Sequence, residues 1–187
     1  LLNFIIFGVE LFYGIIESSA ALLSDSGHNV GDAIILGSSV FFLSASIKSK
    51  AKLAIAKCVF WVFFGGLALY HAFLNIQTGS IPSHFLVGSI GIAALMVNIS
   101  TVIFMSGFKD DDINIKSAYI CCRNDAIGNL LIILSAYLVY LWGTNWPDVF
   151  AGLMIASLMF VSAYNIAKES YGLIKTGDHP VKFTKKD

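Results

Sequence analysis

Six apolar stretches follow one another along this chain, each near the length a helix needs to cross a hydrocarbon layer, with only short breaks between them. They run at about 1–18, 22–47, 52–75, 84–107, 114–142 and 149–174, against a requirement of roughly 20 predominantly apolar residues per crossing. The breaks have turn chemistry: 47–51 is basic, 76–83 carries Gly79 and Pro82, 108–113 is acidic and 143–148 carries Pro147. Connections this short leave room only for helices, which pair their own backbone groups where no water can. Composition agrees, since 57% of the 187 residues are hydrophobic and 13% charged, with a mean hydropathy of +0.77. The expected fold is an all-α integral membrane protein, a six-transmembrane-helix bundle.

The basic residues set its orientation. Lys48, Lys50, Lys52 and Lys57 gather at the second turn, Lys109 and Lys116 at the fourth, and Lys168, Lys175, Lys182, Lys185 and Lys186 at the end of the chain, while the first, third and fifth turns have none. Cytoplasmic segments carry such an excess, so both termini are expected in the cytoplasm, as an even number of spans requires. Residues 1–175 read as one transmembrane domain and 176–187 as a short polar tail, disordered by composition. The stretch Leu1–Tyr13 contains Glu10 and lacks a basic n-region, so it reads as a mature helix with its native N-terminus missing rather than a signal peptide. A net charge of zero and the lack of a basic aromatic stripe give no sign of nucleic-acid binding. Cys58, Cys121 and Cys122 form no CxxC and read as unbridged thiols.

Ionisable residues inside such segments are expensive and mark pathways more often than packing. In Ser24-Asp25-Ser26-Gly27-His28-Asn29-Val30-Gly31-Asp32, His28 and Asp32 stand four apart on one helical face, with Asp25 within the same arc. Cys121 and Asp125 repeat the spacing in the fifth segment, with Asn124 beside them. If the two helices face each other, an imidazole, a thiolate and two carboxylates converge into a plausible four-ligand set for a divalent transition metal. Gly31 and Gly128 would allow the close approach such a site needs. Asp25 suits a supporting or exit role. Glu10, on one face with Asn3 and Gly14, is expected to point into the bundle, either as an interhelical hydrogen-bond partner or as a proton carrier. Glu17 reads as a solvated rim residue, and Arg123 points away from Cys121 and Asp125. Asp110, Asp111 and Asp112 read as a helix cap with solvated neighbours, or as a funnel for cations.

These residues carry a resemblance to the cation diffusion facilitators. Asn3, Glu10, Gly14 and the run Ala21-Leu22-Leu23-Ser24-Asp25-Ser26-Gly27-His28 with Asp32 resemble the first two helices of that family. Asn114-Ile115-Lys116-Ser117-Ala118 with Cys121, Asp125, Gly128 and Asn129 is similar to its fifth helix, and Trp146-Pro147-Asp148 through Lys168-Glu169-Ser170 to its sixth. The resemblance implies a metal efflux transporter with His28, Asp32, Cys121 and Asp125 as ligands, zinc as transported substrate with cadmium or cobalt as alternatives, and protons as counter-ions. It also implies a multi-pass protein of the lipid bilayer, in a bacterial inner membrane, and a homodimer. Cys121 stands where zinc-carrying members commonly have His, and a thiolate favours soft metals over manganese or magnesium. The usual cytoplasmic metal-binding domain after the sixth helix is absent from this sequence, so dimerisation through it is not implied. Two rival readings remain: a non-transporting membrane scaffold that binds metal structurally, and an intramembrane metalloenzyme. Against the enzyme stands the lack of HExxH or a clearly placed general base.

Overall fold

The computed structural model describes residues 2–39, 47–107 and 113–176. They form six helices: α1 (Leu2–Ile16), α2 (Ala20–Ser39), α3 (Ile47–Thr78), α4 (His84–Ser106), α5 (Ile113–Trp142) and α6 (Trp146–Thr176). No strand occurs among the described residues. The basic stretch 47–51 opens α3 rather than breaking the chain. Asp110 to Asp112, on which the cap and funnel readings fall, and the tail from Gly177 lie outside the described residues.

Among the described residues, four helical stretches are long and apolar enough to cross a membrane: Ala54–Thr78, His84–Ser106, Cys122–Trp142 and Trp146–Gly172. Helices α1 and α2 are not among these four. Helix α1 has 15 residues, about 22 Å of rise against a core of about 30 Å, and α2 is interrupted by Ser24, Asp25, His28 and Asp32. Large apolar side chains face outward, among them Phe85 at 72% and Phe104 at 74% exposure, as lipid contact permits and water does not. Trp142 and Trp146 flank the α5–α6 turn and are both exposed, the placement of an aromatic belt at a membrane interface.

Helix α2 is the axis of the bundle, packed against α1, α3, α5 and α6, while α3 pairs with α6 and α4 with α5. Its first turns are enclosed: Ala20, Ala21, Leu22, Leu23, Ser24 and Ser26 are completely buried. Gly152 makes this enclosure possible, since a methyl group there would stand 2.6 Å from the Ala20 carbonyl carbon. Ser24 Oγ uses the resulting proximity to donate to the Gly152 carbonyl oxygen at 2.9 Å.

The polar start of α2 is satisfied from a different part of the chain. Asp148, in the first turn of α6, accepts from Ser19 Oγ at 2.6 Å and from the Ala20 N–H at 2.7 Å, and Ser19 Oγ accepts from the Leu22 N–H. Orphan N–H groups at a helix N-terminus need such acceptors. The three turns at this end are tied together. Asn145 donates to the carbonyls of Asn75 and Ser80 at 2.6 and 3.0 Å, and Asn75 donates to the carbonyl of Ser18, which has a left-handed backbone, φ 53°. Glu17 is no solvated rim residue, because its Oε2 accepts from the Ser83 N–H at 2.9 Å. These are the turns without lysine or arginine, and the contacts hold them at one end of the bundle.

Asp148→Ala is expected to cost about 2 kcal/mol, because it leaves buried donors at Ser19 and Ala20 without their acceptor. Thermal unfolding of the detergent-solubilised protein checks this. Asp148→Asn, which keeps one acceptor oxygen, should fall between the two.

Candidate metal centre

Helices α2 and α5 meet at a polar contact: His28 Nε2 lies 2.8 Å from Asp125 Oδ1. The expectation that these faces oppose one another is met at this pair. The Asp125 side chain is fully buried and that of His28 is 24% exposed, so the imidazole forms the accessible edge of the pair. Two heteroatoms at this distance need a proton between them, since a carboxylate oxygen only accepts.

The pair lines a cavity of about 280 Å³ between α2, α5 and α6, which Asp25, Asn124, Gly128 and Ser162 also line. Asp25 is buried at 2% exposure and reaches toward α5, where a methyl group on Gly128 would stand 3.2 Å from its Oδ1. Gly128 therefore does what its position suggested: it lets a carboxylate of α2 approach the backbone of α5. Gly31 does something else. A side chain there would run into the Trp61 indole and stand 3.1 Å from Lys57 Cε, so this gap admits α3 and not α5. Asn124 is exposed at the cavity mouth, and Arg123 is exposed as well.

Behind the cavity, Glu10 of α1 is completely buried. Its Oε2 accepts from Asn29 Nδ2 of α2 at 2.7 Å, and the Asp25 carboxyl lies near it. Glu10, Asp25 and the His28–Asp125 pair thus form one connected polar region running from α1 through α2 to α5. The inward position expected for Glu10 is observed, and its partner is Asn29, which the spacing of titratable residues did not single out.

The side chains of Asp32 and Cys121 lie outside the described residues. Their backbones belong to α2 and α5, one turn from His28 and Asp125 respectively. Among the described residues, no three His, Cys, Asp or Glu side chains gather as a metal-holding group. His28 and Asp125 are the two members of the expected set whose meeting is described. Sequence reasoning missed Trp61, whose ring stacks on that of His28 at 5.1 Å and 11°, and Lys57, whose ammonium lies 4.2 Å from the centre of the Trp61 ring. Lys57 had been grouped with the basic second turn, yet it is buried at 4% exposure inside α3. The available signal was its place within an otherwise apolar helix.

Comparison with known proteins follows the same lines. Residues 1–174 match the cation efflux transmembrane domain. The chain is 28% identical over 183 residues to a cadmium, cobalt and zinc/H(+)-K(+) antiporter of Bacillus subtilis, covering 90% of this chain and 59% of that protein. It is 24% identical over 185 residues to the zinc transporter ZitB of Escherichia coli, covering 90% and 58%. Against the metal cation efflux system protein CzcD of Cupriavidus metallidurans the identity is 21% over 182 residues, covering 90% and 57%. The chain thus spans under three-fifths of the length of these relatives.

Glu10→Leu is expected to destabilise the protein by about 1–2 kcal/mol, because it strands the Asn29 amide in the bundle interior. Glu10→Gln keeps an acceptor for Asn29 and should recover most of the loss. Melting temperatures of the three proteins in one detergent decide the matter.

Proposed function

This chain belongs to the cation efflux family, and on that premise we propose that it carries divalent transition-metal cations out of the cytoplasm in exchange for protons. Zinc is the first substrate to test, with cadmium and cobalt as alternatives. In this reading His28, Asp32, Cys121 and Asp125 are the ligands, Asp25 and Asn124 line the approach, and Glu10 lies on a proton route. The observation that carries it is the 2.8 Å contact between His28 and Asp125 at a cavity in a membrane-embedded bundle.

Mechanism follows from the donor chemistry. A metal ion needs a neutral imidazole and ionised carboxylate and thiolate donors, so binding expels protons and acid favours release. A cation that took His28 Nε2 and Asp125 Oδ1 as donors would displace the proton they share. Exchanging metal for proton at this pair would require the two donors to move apart from their hydrogen-bonded separation, since two metal bonds of about 2 Å at a tetrahedral angle span more than a hydrogen bond does. Alternating exposure of the site to the two sides converts that exchange into antiport. The nine-tenths buried character of Asp25 and Asp125 suits a site closed to bulk water at one stage of the cycle.

The accompanying architecture is six crossings, including the short α1 and the polar α2, with both termini cytoplasmic. Residues 1–175 form the transmembrane domain and 176–187 a cytoplasmic tail, and the working form is a homodimer in a bacterial inner membrane. Enclosure of α2 by four neighbouring helices supports its crossing, since its polar groups then face protein rather than lipid.

Two measurements follow. Zinc flux into proteoliposomes should rise with an acidic interior and fall to background in Asp32→Ala and in Asp125→Ala, both remaining folded; near-normal flux in both mutants rejects the ligand assignment. Cys121→His should shift the competition among zinc, cadmium and cobalt toward zinc. Unchanged competition curves would remove Cys121 from the ligand set, while tight zinc binding without flux would favour a structural metal site.

A further inference from the structure

The three turns without lysine or arginine are joined into a closed ring. Asn75, near the end of α3, donates to the Ser18 carbonyl, and the Ser83 N–H donates to Glu17 Oε2, so the α3–α4 connection is tied to the α1–α2 connection. Asn145, between α5 and α6, donates to the carbonyls of Asn75 and Ser80. Asp148 closes the ring by accepting from Ser19 and Ala20. Each connection also holds one residue in the left-handed region: Ser18 at φ 53°, Gly79 at 67° and Gly143 at 60°. Ser18, which is not glycine, keeps a conformation that persists only where neighbours enforce it. Next to the ring, Ala20, Ala72 and Val149 form an apolar plug between α2, α3 and α6.

The sides of this ring are not alike. The Asp148 side is solid: Asp148 is 1% exposed, Ala20 is completely buried, and Gly152 brings α6 against the backbone of α2. The Asn145 side borders a cavity of about 340 Å³, lined by Ile76, Gly79 and Ile81 from one connection and by Gly143, Thr144 and Trp146 from the other. Ser80, one of the two residues that accept from Asn145, is exposed.

We propose that this ring is a latch at the lysine-free end of the bundle, and that it parts at the Asn145 seam to let a cation leave toward that end while α2 and α6 stay joined through Asp148. This inference rests on the transport reading given above. His28 stands eight residues beyond Ala20 on α2, about 12 Å along the helix, so an ion leaving the site in this direction passes the plug and the ring. Hydrogen bonds from a side-chain amide to carbonyls suit such a latch, because water replaces them at little net cost. The cavity beside Asn145 gives that water a place to enter. The Asp148 side offers no such route, since its acceptor oxygens serve donors at a buried helix start. Two conformations differing only at the Asn145 seam are therefore close enough in free energy for a bound ion to shift the balance between them.

The test uses the full chain. Ile81→Cys and Thr144→Cys, on opposite sides of the seam, are joined by a short bifunctional methanethiosulfonate, with each single variant as the control for native thiols. In proteoliposomes the joined protein should lose about tenfold or more in zinc flux and regain it on reduction, while zinc binding measured calorimetrically in nanodiscs stays within about twofold of the unjoined protein. A static brace would only be reinforced by this cross-link, so undiminished flux in the joined protein overturns the latch. If the unjoined double variant binds zinc but carries none, the transport reading itself fails and the latch goes with it. A second arm reads opening without transport. Ala72→Cys, beside the ring, is alkylated in nanodiscs with a polar maleimide, and adding Asn145→Ala should speed the reaction about tenfold. Cys58, buried fourteen residues earlier on α3, is the internal control and should keep its rate. Equal rates at Ala72→Cys with and without Asn145→Ala, or a matching rise at Cys58 that marks general loosening, overturn the part assigned to Asn145.

Discussion

Everything in this bundle depends on enclosing α2. A helix carrying Ser24, Asp25, His28, Asn29 and Asp32 cannot face lipid, where each unmet polar group costs several kcal/mol. The solution is close backbone contact on one side and polar partners on the others. Gly152 lets α6 lie against the backbone of Ala20, Glu10 of α1 takes the Asn29 amide, and Asp125 of α5 meets His28. Asp148 completes the enclosure by accepting from the start of α2 itself. Removing any of these partners exposes a polar group to a medium that cannot receive it.

The same enclosure creates the site. Because α2 is surrounded, its polar face is presented to other helices, and the cavity opens where α2, α5 and α6 do not close completely. Stability and function thus draw on one set of groups. Asp25 illustrates the overlap: buried at 2% exposure, it lies near Glu10 and approaches α5 through the space at Gly128. The tied turns at the end of the bundle near Asp148 hold the positions of α2 and α6 there, while the cavity lies farther along both helices.

Much of this was legible in the residues. Apolar runs with Gly and Pro breaks gave six helices, because spacing and hydropathy report the local medium directly. The spacing of four placed His28 with Asp32 and Cys121 with Asp125 on common faces, and the opposing pair His28 and Asp125 meets as that pattern implied. What was not legible were the partners. Asp148 looked like an ordinary first-turn acid of α6, yet it caps α2, more than a hundred residues away in sequence. Gly31 looked like a spacer toward α5 and instead admits Trp61 and Lys57. Lys57 looked like part of a basic turn because charge counts along a chain do not say which way a side chain faces.

The sequence by itself determined that this is a helical membrane protein, which segments are helices, and which ionisable residues share a face. It could do so because helix formation and lipid compatibility depend on nearest neighbours along the chain and on the helical period. Only the tertiary structure decided which faces meet: Glu10 with Asn29, His28 with Asp125, Trp61 with His28 and Asp148 with the start of α2. Those pairings depend on how side chains of different helices fill shared space, a property of the packed bundle that no single segment encodes.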